Sequence, residues 1–138
     1  MVEVIRLTKT ISEGKLANLL SSLNSATVTE IVPKCRSSRS GLTLFCTGFD
    51  ATLKTNKHEH KLYCTMTGFM TCSWYVDGEE IAVIQLPLDD PLLREITAII
   101  ETANKIDKVG EVDIPRVERE RIVLKERPKV VWEITPSI

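Results

Sequence analysis

Two histidines, His58 and His60, flank Glu59 and are the only imidazoles in the chain. On a strand such an HxH pair points both rings the same way and can hold a metal, with Cys46 or Cys64 as further donors. Two ligands do not make a site, and no third has a recognisable spacing. The run Asn56-Lys57-His58-Glu59-His60 reads as a turn, so the pair is expected to be exposed and no metal or cofactor is assigned. The adjacent acids Asp89 and Asp90 invite general acid/base chemistry, but Asp90 before Pro91 has the form of a helix N-cap, and successive residues at a helix start diverge in direction. Ser37, Ser38 and Ser40 lie near Arg36 and Arg39 in a polar loop, where a serine nucleophile would need a histidine that only the 58–60 turn could offer. No GxSxG elbow, glycine-rich phosphate loop or HExxH is present, so no catalytic residue is assigned and an enzyme of familiar mechanism is not expected.

The four cysteines, Cys35, Cys46, Cys64 and Cys72, lack CxxC spacing. If Cys64 and Cys72 lie along one regular strand they are about 26 Å apart, too far to bridge or to share a metal. They are expected as free, buried thiols acting as small hydrophobes, with Cys46 on a neighbouring region within reach of one of them. No segment from Met1 to Ala26 has the form of a signal peptide and none approaches a membrane span, which with free thiols implies a cytoplasmic, reducing setting. The Ile, Val, Glu and Lys bias and the single glutamine, Gln85, also fit a hot environment, where intracellular disulfides are an exception to that rule.

What positions these residues is a stretch with strand periodicity. From Leu62 to Val76 the even positions are apolar or small, and Asp77-Gly78 offers the two residues of a type I′ turn before Glu79 to Leu86 returns. Counting back from the turn sets Trp74 opposite Ile81 and Cys72 opposite Val83 on one face, while Gly68 reads as a mid-strand bulge or a point of close approach. Upstream, Val2 to Ile11 reads as a first strand covered on more than one side. Ser12 caps a helix whose stripe is Leu16, Leu19, Leu20 and Leu23, with Asn24 as its stop, and Ala26 to Val32 is a strand ended by Pro33. In Leu42 to Lys54 the apolar parity switches near Gly48, which calls for a bulge or a break. The helix Pro91 to Ile106 carries a wide apolar stripe that needs a sheet to lie on. Val109 to Ile114, Val117 to Leu124 and Val130 to Ile134 are β-prone.

With 138 residues, 43% hydrophobic and 27% charged, the chain suits one α+β domain: a curved antiparallel sheet, a short N-terminal helix, a long helix packed on the sheet, and extra C-terminal strands. Residues 1–108 form the main unit and 109–138 a β-rich extension of it. The net charge of −1 gives no reason to expect nucleic acid. The run from Arg116 to Lys129 is nonetheless net positive, with Arg116, Arg119, Arg121, Lys125, Arg127 and Lys129 against Glu118, Glu120 and Glu126.

The order strand, helix, strand, several antiparallel strands, long helix resembles the helix-grip arrangement of START-like proteins, and the similar order in TATA-binding-protein halves. The resemblance covers Val2 to Lys108 and rests on topology, on Ser12 to Leu23 directly after the first strand, and on Ile31-Val32-Pro33. It implies a cavity between sheet and helix, used in that family for lipids, sterols and other apolar ligands and occasionally for chemistry. Here such a pocket would be lined by Met66, Met70, Trp74, Ile81 and Val83 on the sheet and Ile96, Ile99, Ile100 and Ala103 on the helix. The same residues would equally make a plain core. The expected function is non-enzymatic binding of a small apolar ligand; the alternative is an interaction or homodimerisation module using residues 116–134 as an edge.

Overall fold

The structure of the protein, a computed structural model, describes residues 2–113 and 128–136. Strand β1 (Glu3–Leu7) leads to helix α1 (Glu13–Ser25) and then to five strands: β2 (Thr27–Ser37), β3 (Thr43–Lys54), β4 (Glu59–Met66), β5 (Met70–Val76) and β6 (Glu79–Leu86). Helix α2 (Pro91–Asp107) and the short strands β7 (Glu111–Asp113), β8 (Lys129–Val130) and β9 (Glu133–Thr135) complete the described chain. The strands lie in the order β1-β6-β5-β4-β3-β2-β8, with β9 also on β2 and β7 on β3. Pairing is antiparallel except where the last three strands add parallel to β2 and β3. This is the α+β class that the patterning predicts.

Both helices start where capping chemistry says they should. Ser12 accepts the Lys15 amide at 3.3 Å, and Asp90 accepts the Leu92 amide at 2.9 Å with Pro91 in the first turn. Helix α1 buries Leu19 and Leu23, and α2 buries Leu92, Leu93, Ile96, Ile99, Ile100 and Ala103. All of these except Ala103 join the inward residues of the sheet in one core that includes Leu53, Leu62, Met70, Trp74, Ile84 and Leu86. A second, smaller cluster of Cys35, Leu44 and Cys46, backed by Val109, Val112 and Trp132, lies under the C-terminal strands.

The parity switch in β3 is a bulge, as expected. Lys34 pairs with Gly48 and Cys35 with Cys46, so Thr47 is the extra residue. The bulge hands the buried face from Leu44 and Cys46 to Phe49, Ala51 and Leu53, and β3 changes neighbours at the same place: β7 flanks Thr43–Phe45 and β4 flanks Gly48–Lys54. Gly48 sits at that junction, where a Cβ would run into the carbonyl oxygen of Cys64.

Four expectations are corrected. Lys61 to Val76 is two strands: the chain reverses through Thr67, Gly68 and Phe69, with Gly68 at φ +89° and the Thr67 amide bonded to the Phe69 carbonyl at 2.9 Å. Gly68 is therefore a turn residue in open space. The reversal faces Cys64 with Cys72, and these two form a disulfide, as do Cys35 and Cys46 across β2 and β3. For Cys64 and Cys72 the free-thiol expectation failed because it treated a hairpin as one straight strand, and for Cys35 because it ended β2 at Pro33.

The Asp77-Gly78 turn does have both residues at positive φ (51° and 85°), but the register slips one residue beyond it. Trp74 pairs with Ala82 and Cys72 with Ile84, leaving Ile81 as the extra residue of a bulge. The slip sends Ala82, Ile84 and Leu86 into the core and turns Val83 to the other face, opposite Ser73. Strand β1 is also shorter than expected and is an edge, with Ile5 54% and Leu7 42% exposed. Pro33, finally, does not end β2. The C-terminal strands pair with Glu30–Ile31 and with Lys34–Arg36 but skip the proline between them, which has no amide to donate. The basic run through Arg127 and the strand expected over Val117 to Leu124 lie outside the described residues.

Candidate functional site

The residues expected to line an apolar pocket fall into three groups. Met70, Trp74, Ile81, Ile96, Ile99, Ile100 and Ala103 are all buried, and the first six of them belong to the main core. Met66 is half-buried at its margin, and Val83 lies on the opposite face. Water reaches none of Trp74 or Ile96 and only 1% of Met70, so no void able to hold a ligand adjoins them. Sheet and α2 do bury their apolar faces in the same core.

The chemistry at Trp74 is instead polar and internal. Its indole Nε1 donates to His60 Nδ1 at 3.0 Å, the two rings stack at 6.0 Å, and His60 Nε2 lies 2.8 Å from the Ser22 hydroxyl on α1. His60 is fully buried rather than exposed in a turn, because the strand begins at Glu59 and His60 takes the inward parity with Leu62 and Cys64. Indole N–H is a donor only, so Nδ1 must be the unprotonated nitrogen and Nε2 carries the hydrogen, donating it to Ser22. In that tautomer His60 does not act as a base toward Ser22. A general base needs a free Nε2 lone pair facing the hydroxyl, and here Nε2 faces it with a proton.

Burial lowers the His60 pKa from 6.5, and the neighbouring His58 adds to this against a small opposing pull from Asp77. Since the unfolded chain takes up this proton first, the network's contribution to stability is full above about pH 6.5 and declines as pH falls below it. The expected slope is up to ~1.4 kcal/mol per pH unit until the folded-state pKa is reached. Glu95, whose carboxyl is held above the usual range by burial, opposes this at more acid pH. Denaturant unfolding of the wild type and of His60→Phe between pH 7 and 5 isolates the histidine's part: the variant should lose the decline, and parallel curves would show that His60 does not carry it.

His58 is partly exposed, its Nδ1 2.8 Å from Asp77 Oδ2, while Asp77 Oδ1 accepts the Glu59 amide at 2.9 Å. Those two bonds depress the Asp77 carboxyl below its ordinary range. The pair closes the end of the β4–β5 ladder beside the type I′ turn. His58 and His60 thus part company, one at the surface and one inside, and no cluster of three metal-binding side chains occurs among the described residues. Asp90 is buried in its capping role, whereas Asp89 is exposed. Ser38 and Ser40 hydrogen-bond one another at 3.0 Å in their loop, far in the chain from either histidine's contacts.

Elsewhere, clefts open among the described residues. One, of about 300 Å³, lies between the start of β1, the end of α1 and the first turn of α2, and is lined by Val2, Asn24, Asp90, Pro91, Leu92 and Glu95. Leu92 belongs to the main core, so this cleft reaches its margin. Another, of about 210 Å³, lies over the Thr47 bulge and is lined by Lys34, Cys35, Arg36, Thr47, Glu133 and Thr135. There Lys34 is held by Asp50 at 3.3 Å and Glu133 at 3.6 Å, which raise its pKa. No sequence signal marked the first cleft beyond the Asp90-Pro91 cap that builds one of its walls. No helix among the described residues is long and apolar enough to cross a membrane. No protein-family model matches the chain, and neither a curated protein nor a solved structure does.

Proposed function

We propose that the chain is a non-enzymatic binding domain that takes a small, largely apolar molecule in the cleft between the end of α1 and the first turn of α2. The observation that carries this reading is the cleft's size, about 300 Å³, together with its apolar lining of Val2, Pro91 and Leu92, beside which Asn24, Asp90 and Glu95 supply a few polar groups. The expected pocket thereby moves from the middle of the sheet, where Trp74 is fully buried, to the start of α2. A START-like ancestry would favour the same side of the sheet. The disulfides favour a setting where cystines persist, either an oxidising compartment or the interior of a hyperthermophile, over an ordinary cytoplasm.

Filling the cleft tests the reading. With the neutral dye Nile red as probe, Leu92→Trp should weaken binding by about tenfold, the effect of losing an apolar group's worth of contact. Met66→Leu, at the far margin, should leave it unchanged. Equal binding by the wild type and Leu92→Trp, with both folded, would refute the cleft.

A second reading has its own observation. Ile134 on β9 and Val131, just after β8, are 40% and 41% exposed, as an interaction edge would have them. Residues 116–127 of the expected interface lie outside the described residues.

A further inference from the structure

The opposite edge of the sheet carries a more specific pattern. Strand β1 bonds to β6 on one side, and no described residue bonds to its other side. It holds no proline or lysine, and Ile5 and Leu7 stand 54% and 42% exposed along it. Edges of that kind pair with another strand unless they are guarded.

We propose that the other strand is β1 of a second copy. Antiparallel pairing about a two-fold axis between Val4 and Ile5 sets Glu3 of each copy opposite Arg6 of the other, Val4 opposite Ile5, and Val2 opposite Leu7. Every pair is then matched in chemistry. A shift of one residue in either direction instead opposes Glu3 to Leu7 or to Ile5, and Arg6 to a valine.

The faces agree as well as the residue types, and the bulge in β1 is the reason. Residues opposite each other in a ladder share a face, yet positions three apart on a regular strand do not. The irregularity between Val4 and Arg6 removes that conflict: Glu3 lies opposite Gln85 and Arg6 opposite Val83, both on the face away from the helices. Leu7 lies opposite Ala82 on the core side, where Val2 packs too. Among the described residues neither Glu3 nor Arg6 has an ion-pair partner. The pairing joins two sheets edge to edge, away from the C-terminal edge, and shares only Val2 with the lining of the binding cleft.

Sedimentation equilibrium of the full chain over micromolar to millimolar concentration tests this by charge exchange. The wild type should dimerise, and Glu3→Arg or Arg6→Glu alone should weaken the dimer by about tenfold, since each places two like-charged pairs in the ladder. The double variant Glu3→Arg/Arg6→Glu should return to within about threefold of the wild type, because the pairs are restored in reverse. Thermal unfolding of each variant separates lost association from lost folding. A wild type that is monomeric throughout, a dimer indifferent to the single changes, or a double variant no better than the singles would each overturn the proposal.

Discussion

Gly48→Val should leave the chain largely unfolded. The side chain would have to share space with the backbone carbonyl oxygen of Cys64, and the Cα of Thr65 lies 3.4 Å from the same Cβ position. No flexible atom can give way, so β3 and β4 must part where the bulge already ends the contact with β7. A cost of about 4 kcal/mol or more is expected, most or all of the stability of a typical domain this size. Gly14 in the first turn of α1 makes the contrast. Nothing stands within 4 Å of a Cβ there, and Gly14→Ala should raise stability by ~0.5 kcal/mol through helix propensity. Urea unfolding followed by circular dichroism reads both, and a Gly48→Val protein as stable as the wild type would mean that the two strands are not packed this closely.

Trp74→Ala is the second large effect, at about 3–5 kcal/mol. It removes the largest fully buried side chain and withdraws the donor from His60 Nδ1. Trp74→Phe separates the two losses. It keeps an aromatic ring in the core but leaves Nδ1 unsatisfied, a penalty of about 1–3 kcal/mol plus a smaller packing term. If His60→Phe is added to Trp74→Phe, the orphaned nitrogen disappears and part of the loss should return. A double variant whose losses simply sum would show that the indole and imidazole are not coupled.

The sequence was legible wherever a local rule had no competitor. Ser12 and Asp90-Pro91 marked the helix starts, the parity switch marked the Thr47 bulge, and the apolar stripe of α2 required the sheet it lies on. It misled where two readings had the same period. Even positions from Leu62 to Val76 face inward whether the chain runs straight or reverses at Gly68, because a three-residue loop between Met66 and Met70 preserves parity. That single ambiguity hid one disulfide and, by misplacing the start of the strand's partner, obscured the setting of His60. The β6 register was lost to a different cause: Ile81 and Ala82 are both apolar, and only the burial of Ile84 and Leu86 decides which of them is the extra residue. The cleft at the start of α2 was not legible, since it is made by three segments remote in the chain.

The topology also dictates an order of assembly. Strands β2 to β6 each pair with the next, so four ladders can zip as short loops close. Strand β1 has no such neighbour: its seat is β6, and Lys9 meets Glu79 across a sequence separation of 70. On a ribosome the first strand made therefore waits unpaired until the sixth has emerged, and the parallel additions to β2 and β3 wait longer still.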